Sequence, residues 1–170
     1  MNGHPGGLEH TRRMLALADL PPGAEILDMG AGSGETVSLL RSLGYVARGI
    51  DLSPRGEGVE RGDFLHLPYP DGSFDAVVSQ CAFFVSGEVP GALREARRVL
   101  KPGGKLLLSD VFFEDPLPLL QAAGFEVLHL EDMTAQWRDY YLEALWRGEG
   151  CGCARARGNC AYWLVIGRRL

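Results

Sequence analysis

An apolar tetrad, Ile26-Leu27-Asp28-Met29, runs without a break into Gly30-Ala31-Gly32-Ser33-Gly34 and then into a segment with helical spacing. A short apolar run bounded by turn residues is how a strand buried on both faces of a parallel sheet reads. Glycines at alternate positions let the chain turn sharply and bring its backbone close to a ligand with no Cβ in the way. The helix that follows buries Val37, Leu40 and Leu43, stops at Gly44, and points unpaired N–H groups back at the turn. Such a strand–turn–helix unit commits the chain to an open α/β sheet, with ligands bound beyond the carboxyl ends of its strands.

The rest of the chain is consistent with that commitment. A helix is expected over Leu8 to Leu20, ended by Pro21-Pro22-Gly23, and a second strand over Tyr45 to Ile50, closing on Asp51. Pro54, Gly56 and Gly58 leave little room for a helix between Leu52 and Arg61. Further strands are expected over Phe74 to Ser79, Lys105 to Val111, Phe125 to Leu130 and Ala161 to Gly167. Helices fall between them: Glu88 to Leu100, a short one capped by Asp115 with Pro116 at its first position, and Asp132 to Arg147. The fold class is therefore α/β: a Rossmann-like, doubly wound, mostly parallel sheet. The loops after Met29, Ile50, Ser79 and Val111 should open on one edge.

With 170 residues, the chain reads as a single domain over 1–170. A net charge of −5 argues against a broad basic face for nucleic acid, although Arg147, Arg155, Arg157, Arg168 and Arg169 cluster near the end. These are read as a solvated edge, with attraction of an anionic substrate as the alternative. No apolar run approaches a membrane span, and the first residues lack an apolar signal core, so the expected location is cytoplasmic.

The glycine turn alone does not choose a ligand. A dinucleotide fingerprint is G-x-G-x-x-G, and its third glycine position is occupied here by Glu35, which points away from NAD. Asp51, ending the second strand, is placed to accept hydrogen bonds from two ribose hydroxyls. Gly62-Asp63-Phe64 sets an acidic side chain beside an apolar ring, a pairing suited to the amino edge and face of an adenine, or equally to a turn aspartate beside a core phenylalanine.

Taken in order, ILDMGAGSGE, GIDLS, GDFLHLPYPDGSFDAVVSQ and EARRVLKPGGKLLLSD resemble the motif series of class I S-adenosylmethionine-dependent methyltransferases. Within that class the chain is most similar to the small-molecule branch that includes the ubiquinone and menaquinone biosynthesis enzymes. The resemblance covers Leu8 to Asp110 and implies S-adenosylmethionine as cofactor. It sets Asp28, Gly30 and Gly32 against the methionine moiety, Asp51 on the ribose, Leu52 on the adenine, and Asp63 and Phe64 at the adenine amino edge. Ser79 and Gln80 would line the cofactor near its reactive methyl. It further implies up to seven strands with the last antiparallel, and residues 1–22 as an N-terminal helix over the cofactor.

The chain departs from that pattern twice. The family places a helix between its second and third strands; here the link is about eight residues, enough to recross a short strand only when nearly extended. That helix is expected to be shortened or absent, the third strand rudimentary or missing, and the bared sheet edge available to form a homodimer. Where related sequences carry a histidine pair, this chain has Phe83-Phe84, so no catalytic base is assigned. His4 and His10 are expected to be solvent-exposed.

Residues 131–160 form a lid-like connection. Its aromatics Trp137, Tyr140, Tyr141 and Trp146 read as helix core, with a lid as the alternative. The connection also holds Cys151, Cys153 and Cys160, with Cys81 expected on the same sheet edge. Unligated thiols are the default, and four converging thiols would suit a soft ion. The leading function is methyl transfer to a small-molecule acceptor by in-line displacement. Alternatives are a metalloid or thiol methyltransferase using Cys81, Cys151, Cys153 and Cys160, and a non-catalytic cofactor-binding regulatory module.

Overall fold

The computed structural model describes residues 4–148 and 160–170. An N-terminal helix α1 (Gly7–Ala18) precedes β1 (Glu25–Met29), α2 (Glu35–Ser42), β2 (Val46–Asp51) and β3 (Val59–Arg61). Then come β4 (Phe74–Gln80), a single turn α3 (Phe83–Ser86), α4 (Val89–Val99), β5 (Leu100–Phe112) and α5 (Pro116–Ala122). The chain ends with β6 (Phe125–Asp132), α6 (Thr134–Trp146) and β7 (Ala161–Arg169).

The strands form a 7-stranded sheet in the order β3-β2-β1-β4-β5-β7-β6. β7 runs antiparallel to both β5 and β6, and the pairings among β1 to β5 are parallel. The chain order reverses at β1 and β4, which fixes the switch point where a doubly wound sheet opens a crevice. This is the mostly parallel Rossmann-like sheet with an antiparallel last strand that the sequence implied.

Alternation along each strand supplies two cores. Leu27, Met29, Val77, Leu106 and Leu108 face α4 and α5, where Leu93, Ala96, Val99 and Leu120 meet them. Ile26, Val78, Leu107, Tyr162, Leu164 and Ile166 face the other way, against Met14 and Leu15 of α1, Val37 and Leu40 of α2, and Trp137 of α6. With helices on both faces, the central strands bury both sets of side chains, hence their continuous apolar sequence.

The helix between β2 and β3 is absent: residues 52–58 carry only turns and bends, and β3 is a rudimentary three-residue strand. The link instead packs on the glycine turn. Arg55 N donates to Gly32 O at 2.9 Å, and a Cβ on Gly56 would lie 1.8 Å from Ser33 O. Backbone meets backbone there, so only glycine fits.

Two elements differ from the sequence expectation. β5 starts at Leu100 rather than Lys105, because Leu100 pairs with Phe74 before a register irregularity hands over to Lys105 opposite Ala76. The Lys101-Pro102-Gly103-Gly104 run thus ends the helix and also forms an irregular opening to the strand. The turn α3 is too short for periodicity to reveal; it is anchored by the Asp110 carboxylate, which accepts from Phe84 N at 3.2 Å.

Candidate functional site

At the carboxyl ends of β1, β2 and β4 lies a cavity of about 620 Å³. Its floor is the glycine turn. Gly30 has φ +86°, and a Cβ there would sit 2.3 Å from the Ala82 Cβ, so this residue closes the gap between the β1 and β4 loops as only glycine can. Gly30 and Ala31 donate to Ile50 O at 2.9 and 3.1 Å, tying the turn to β2.

Asp51 locks the same junction. Its carboxylate accepts from Gly32 N at 2.9 Å through one oxygen and from Ser53 N at 2.8 Å through the other. Each oxygen keeps a lone pair for a ligand hydroxyl. Asp28 is 4% exposed, yet it lines the cavity and accepts no hydrogen bond from the described residues. Burial, aided by the neighbouring Asp51, pushes its carboxyl up to about 7. A buried acid in this state is matched by a cationic ligand group.

Asp63, Phe64 and Leu65 form the next wall. Leu65 N donates to Asp63 at 2.8 Å, a turn that holds the Asp63 carboxyl below its ordinary range. The segment beyond is strapped down by Arg98, which donates to Leu67 O and Tyr69 O at 3.0 and 2.8 Å. Arg98 also pairs with Glu95 at 2.7 Å, and Glu95 accepts from Leu67 N. α4 thereby positions the Asp63–Phe64 wall.

Of the site residues expected from sequence, Asp28, Gly30, Gly32, Asp51, Leu52, Asp63, Phe64 and Gln80 all line this one cavity. Ser79 does not: it is fully buried behind the wall, with its hydroxyl donating to Met29 O at 2.8 Å and stitching β4 to β1. Thr36, Arg55, Val85 and Ser86, which the sequence did not single out, also line it, as does Glu35, which the sequence marked only as breaking the dinucleotide fingerprint. Arg55 and Glu35 flank the glycine turn, a position that could have flagged them.

The histidine expectation is corrected. His10 is 5% exposed, packed inside the α1 face, and burial together with His4 and Arg13 pulls its pKa down to about 4. His4 is half-buried and lines the cavity. Both were read as surface residues because His is as common outside as inside, and nothing local distinguishes the cases.

Among the aromatics, Trp137 is core, its ring stacked 6.4 Å from Tyr162 and 6.0 Å from Tyr141, while Trp146 is exposed. Cys81 lies on the cavity wall with φ +55°, its Sγ 3.3 Å from Tyr162 Oη. Cys160 packs against the α1–α2 core, whereas Cys151 and Cys153 lie outside the described residues. Among the described residues no group of three His, Cys, Asp or Glu could hold a metal ion, and no helix is long and apolar enough to cross a membrane.

Residues 27–108 match the family model described as a methyltransferase domain. That span runs from β1 into β5 and takes in every cavity wall except His4. The chain is 31% identical over 148 residues to an uncharacterized methyltransferase, YodH, of Bacillus subtilis, covering 75% of this chain and 63% of that protein. It is 34% identical over 117 residues to a demethylmenaquinone methyltransferase of Tropheryma whipplei, covering 59% of this chain and 48% of that one. The chain thus spans less than two thirds of the length of these curated relatives. Among solved structures, the [4+2]-cyclase SpnF superposes with a TM-score of 0.78 at 23% identity over 95% of this chain and 80% of its own. Haemonchus contortus phosphoethanolamine N-methyltransferase 2, in complex with S-adenosyl-L-methionine, gives 0.76 at 17% identity over 98% of this chain and 53% of its own. Those likenesses establish the fold, and residues 27–108 match a methyltransferase domain, with a motif series similar to that of the class I S-adenosylmethionine-dependent methyltransferases.

Proposed function

We propose that the cavity binds S-adenosylmethionine and that the chain passes its methyl group to a small-molecule acceptor by in-line displacement. The observation that carries this reading is that Asp28 and Asp51 face one cavity from either side of the glycine turn. A buried, unpartnered acid beside a ribose-seeking carboxylate suits a ligand with an ammonium group next to a sugar. In this reading Asp28, Gly30 and Gly32 hold the methionine moiety and Asp51 takes the ribose hydroxyls. Leu52 and Phe64 flank the adenine, Asp63 binds its amino group, and Gln80 stands near the methyl. Ser79 supports that wall from behind.

When bound, the cofactor supplies a methyl group on a sulfonium sulfur, an electrophile that needs an aligned lone pair and dry surroundings more than it needs an acid or base. The protein's part is to align and to exclude water. His4, ahead of α1, lines the cavity on the side of Gln80, and α3 sets Val85 and Ser86 on its wall. NAD fits poorly, because Glu35, the first residue of α2, brings a carboxylate to the cavity lining at the position where a dinucleotide fingerprint requires its third glycine. A cytoplasmic location and a homodimer joined through the β3 edge belong to the same proposal, the latter supported by a three-residue edge strand with no helix over its link.

The test is transfer of label from methyl-tritiated S-adenosylmethionine to a panel holding a phenol, a thiol, an amine and a carboxylic acid. Label in at least one acceptor, reduced roughly a hundredfold in Asp51→Ala, is expected. No transfer by a protein that binds S-adenosylhomocysteine would favour the non-catalytic module instead.

A further inference from the structure

One hydrogen-bonded cluster lies on the cavity wall at the methyl end of the proposed cofactor site, and Gln80 is its hub. The Gln80 Oε1 accepts from the Thr11 hydroxyl of α1 at 3.1 Å and from the Thr36 hydroxyl of α2 at 3.4 Å. Two donors on the oxygen fix the amide plane and turn its NH2 toward His4, where Nε2 of Gln80 lies 3.2 Å from His4 Nδ1. His4 Nδ1 also lies 3.3 Å from the Pro5 carbonyl oxygen, so the two tautomers serve different partners: a proton on Nδ1 is donated to Pro5 O, whereas a bare Nδ1 accepts from the Gln80 NH2. In the second tautomer the proton sits on Nε2, which has no partner among the described residues. Burial lowers the His4 pKa and so favours the neutral ring, against the hydrogen bond between Nδ1 and the Pro5 carbonyl. The neighbouring His10 ring, 6.2 Å away, is neutral as well.

Resting on the cofactor reading above, we propose that His4 contacts the methyl acceptor, its Nε2–H donating a hydrogen bond to the acceptor oxygen. The N-terminal segment brings this group to the wall that also holds Gln80, Cys81, Ala82 and Val85, away from Asp51 and Asp63. A neutral donor suits an ionised hydroxyl. The acceptor gives its proton to solvent on ionising, and its oxygen lone pair forms the new O–C bond. The C–S bond breaks with its electron pair left on sulfur, so the negative oxygen and the positive sulfonium cancel. His4 neither gains nor loses a proton. It lowers the cost of holding the anion in a cavity that Asp28, Glu35, Asp51 and Asp63 otherwise make acidic, with Arg55 the cationic side chain on its wall.

The test uses 4-nitrophenol, whose phenolate is coloured, bound to the complex with S-adenosylhomocysteine. Near the pKa of the free probe, the wild-type complex should hold about tenfold more phenolate than His4→Ala, with His4→Asn, which retains a side-chain N–H, in between. ¹⁵N spectra of the free protein should place the His4 proton on Nε2. Equal phenolate fractions in wild type and His4→Ala, no binding of the probe to the wild-type complex, or a proton on Nδ1 would each overturn the assignment. Calorimetry with S-adenosylhomocysteine alone separates the two ideas: failure to bind it sinks the cofactor reading, whereas normal binding without the optical difference sinks only the role of His4.

Discussion

Asp28 is the most informative single residue. Its carboxyl is raised from an ordinary value of 3.8 to about 7 by burial and by Asp51, so the folded protein prefers it protonated. A raised folded-state pKa contributes stability that is complete below the unfolded value and is lost as pH rises through the folded one. Asp28→Asn should therefore match wild type below about pH 4 and exceed it at pH 8 by a few kcal/mol, on the order of the shift itself, in urea unfolding. The same residue predicts proton release on ligand binding. An ammonium group beside Asp28 favours its ionised form, so binding of S-adenosylhomocysteine at pH 7 should release roughly half a proton. Calorimetry in buffers of different ionisation enthalpy would detect it, and proton uptake would argue against this pairing. Asp28, Asp51 and Asp63 were legible in the sequence because each sits at a strand end or turn whose position the motif fixes. Ser79 was misplaced by its neighbourhood: one step from Gln80, alternation turns it inward. His4 was missed because its place depends on Gln80, itself held by Thr36, and both lie far from it along the chain.

At the scale of elements, the link across residues 52–58 does what a helix would do with less chain. Because its Gly56 would put a Cβ 1.8 Å from Ser33 O, Gly56→Ala should displace the glycine turn. Losses in both thermal stability and S-adenosylhomocysteine affinity are expected, whereas a change in stability alone would mean that the turn is not coupled to the site. α1 carries a second consequence. His10 is neutral when folded and has no partner for its buried Nε2 among the described residues, and its pKa lies near 4, below the ordinary 6.5. A lowered folded-state pKa gives stability that is present above the unfolded value and is lost as pH falls through the folded one. Replacing His10 by Leu should remove that part of the acid-side loss between about pH 6.5 and 4, read from unfolding midpoints across that range. The long elements were legible because periodicity and caps agree. α3 and the opening of β5 were not, since a single turn and a bulge are fixed by Asp110 and Phe74 rather than by local pattern.

For the whole molecule, a mostly parallel sheet of seven strands with the last antiparallel follows from the alternation of elements and the resemblance, and the sheet observed has that form. Its β3 edge is three residues long and carries Glu60 and Arg61. Sedimentation velocity at tens of micromolar protein should show a dimer if this edge pairs, and a monomer at every concentration would remove that part of the proposal. What no sequence pattern could supply is the depth of the cavity and which walls meet across it, because those depend on how four loops from distant strands pack together. The direct test of the central claim is calorimetric titration with S-adenosylhomocysteine, run beside NAD and repeated on Asp51→Ala. Binding in the region of micromolar, about −8 kcal/mol, weakened at least tenfold by the substitution and with no heat from NAD, is the predicted result. Absence of binding at millimolar ligand, or equal affinity in wild type and Asp51→Ala, would contradict it.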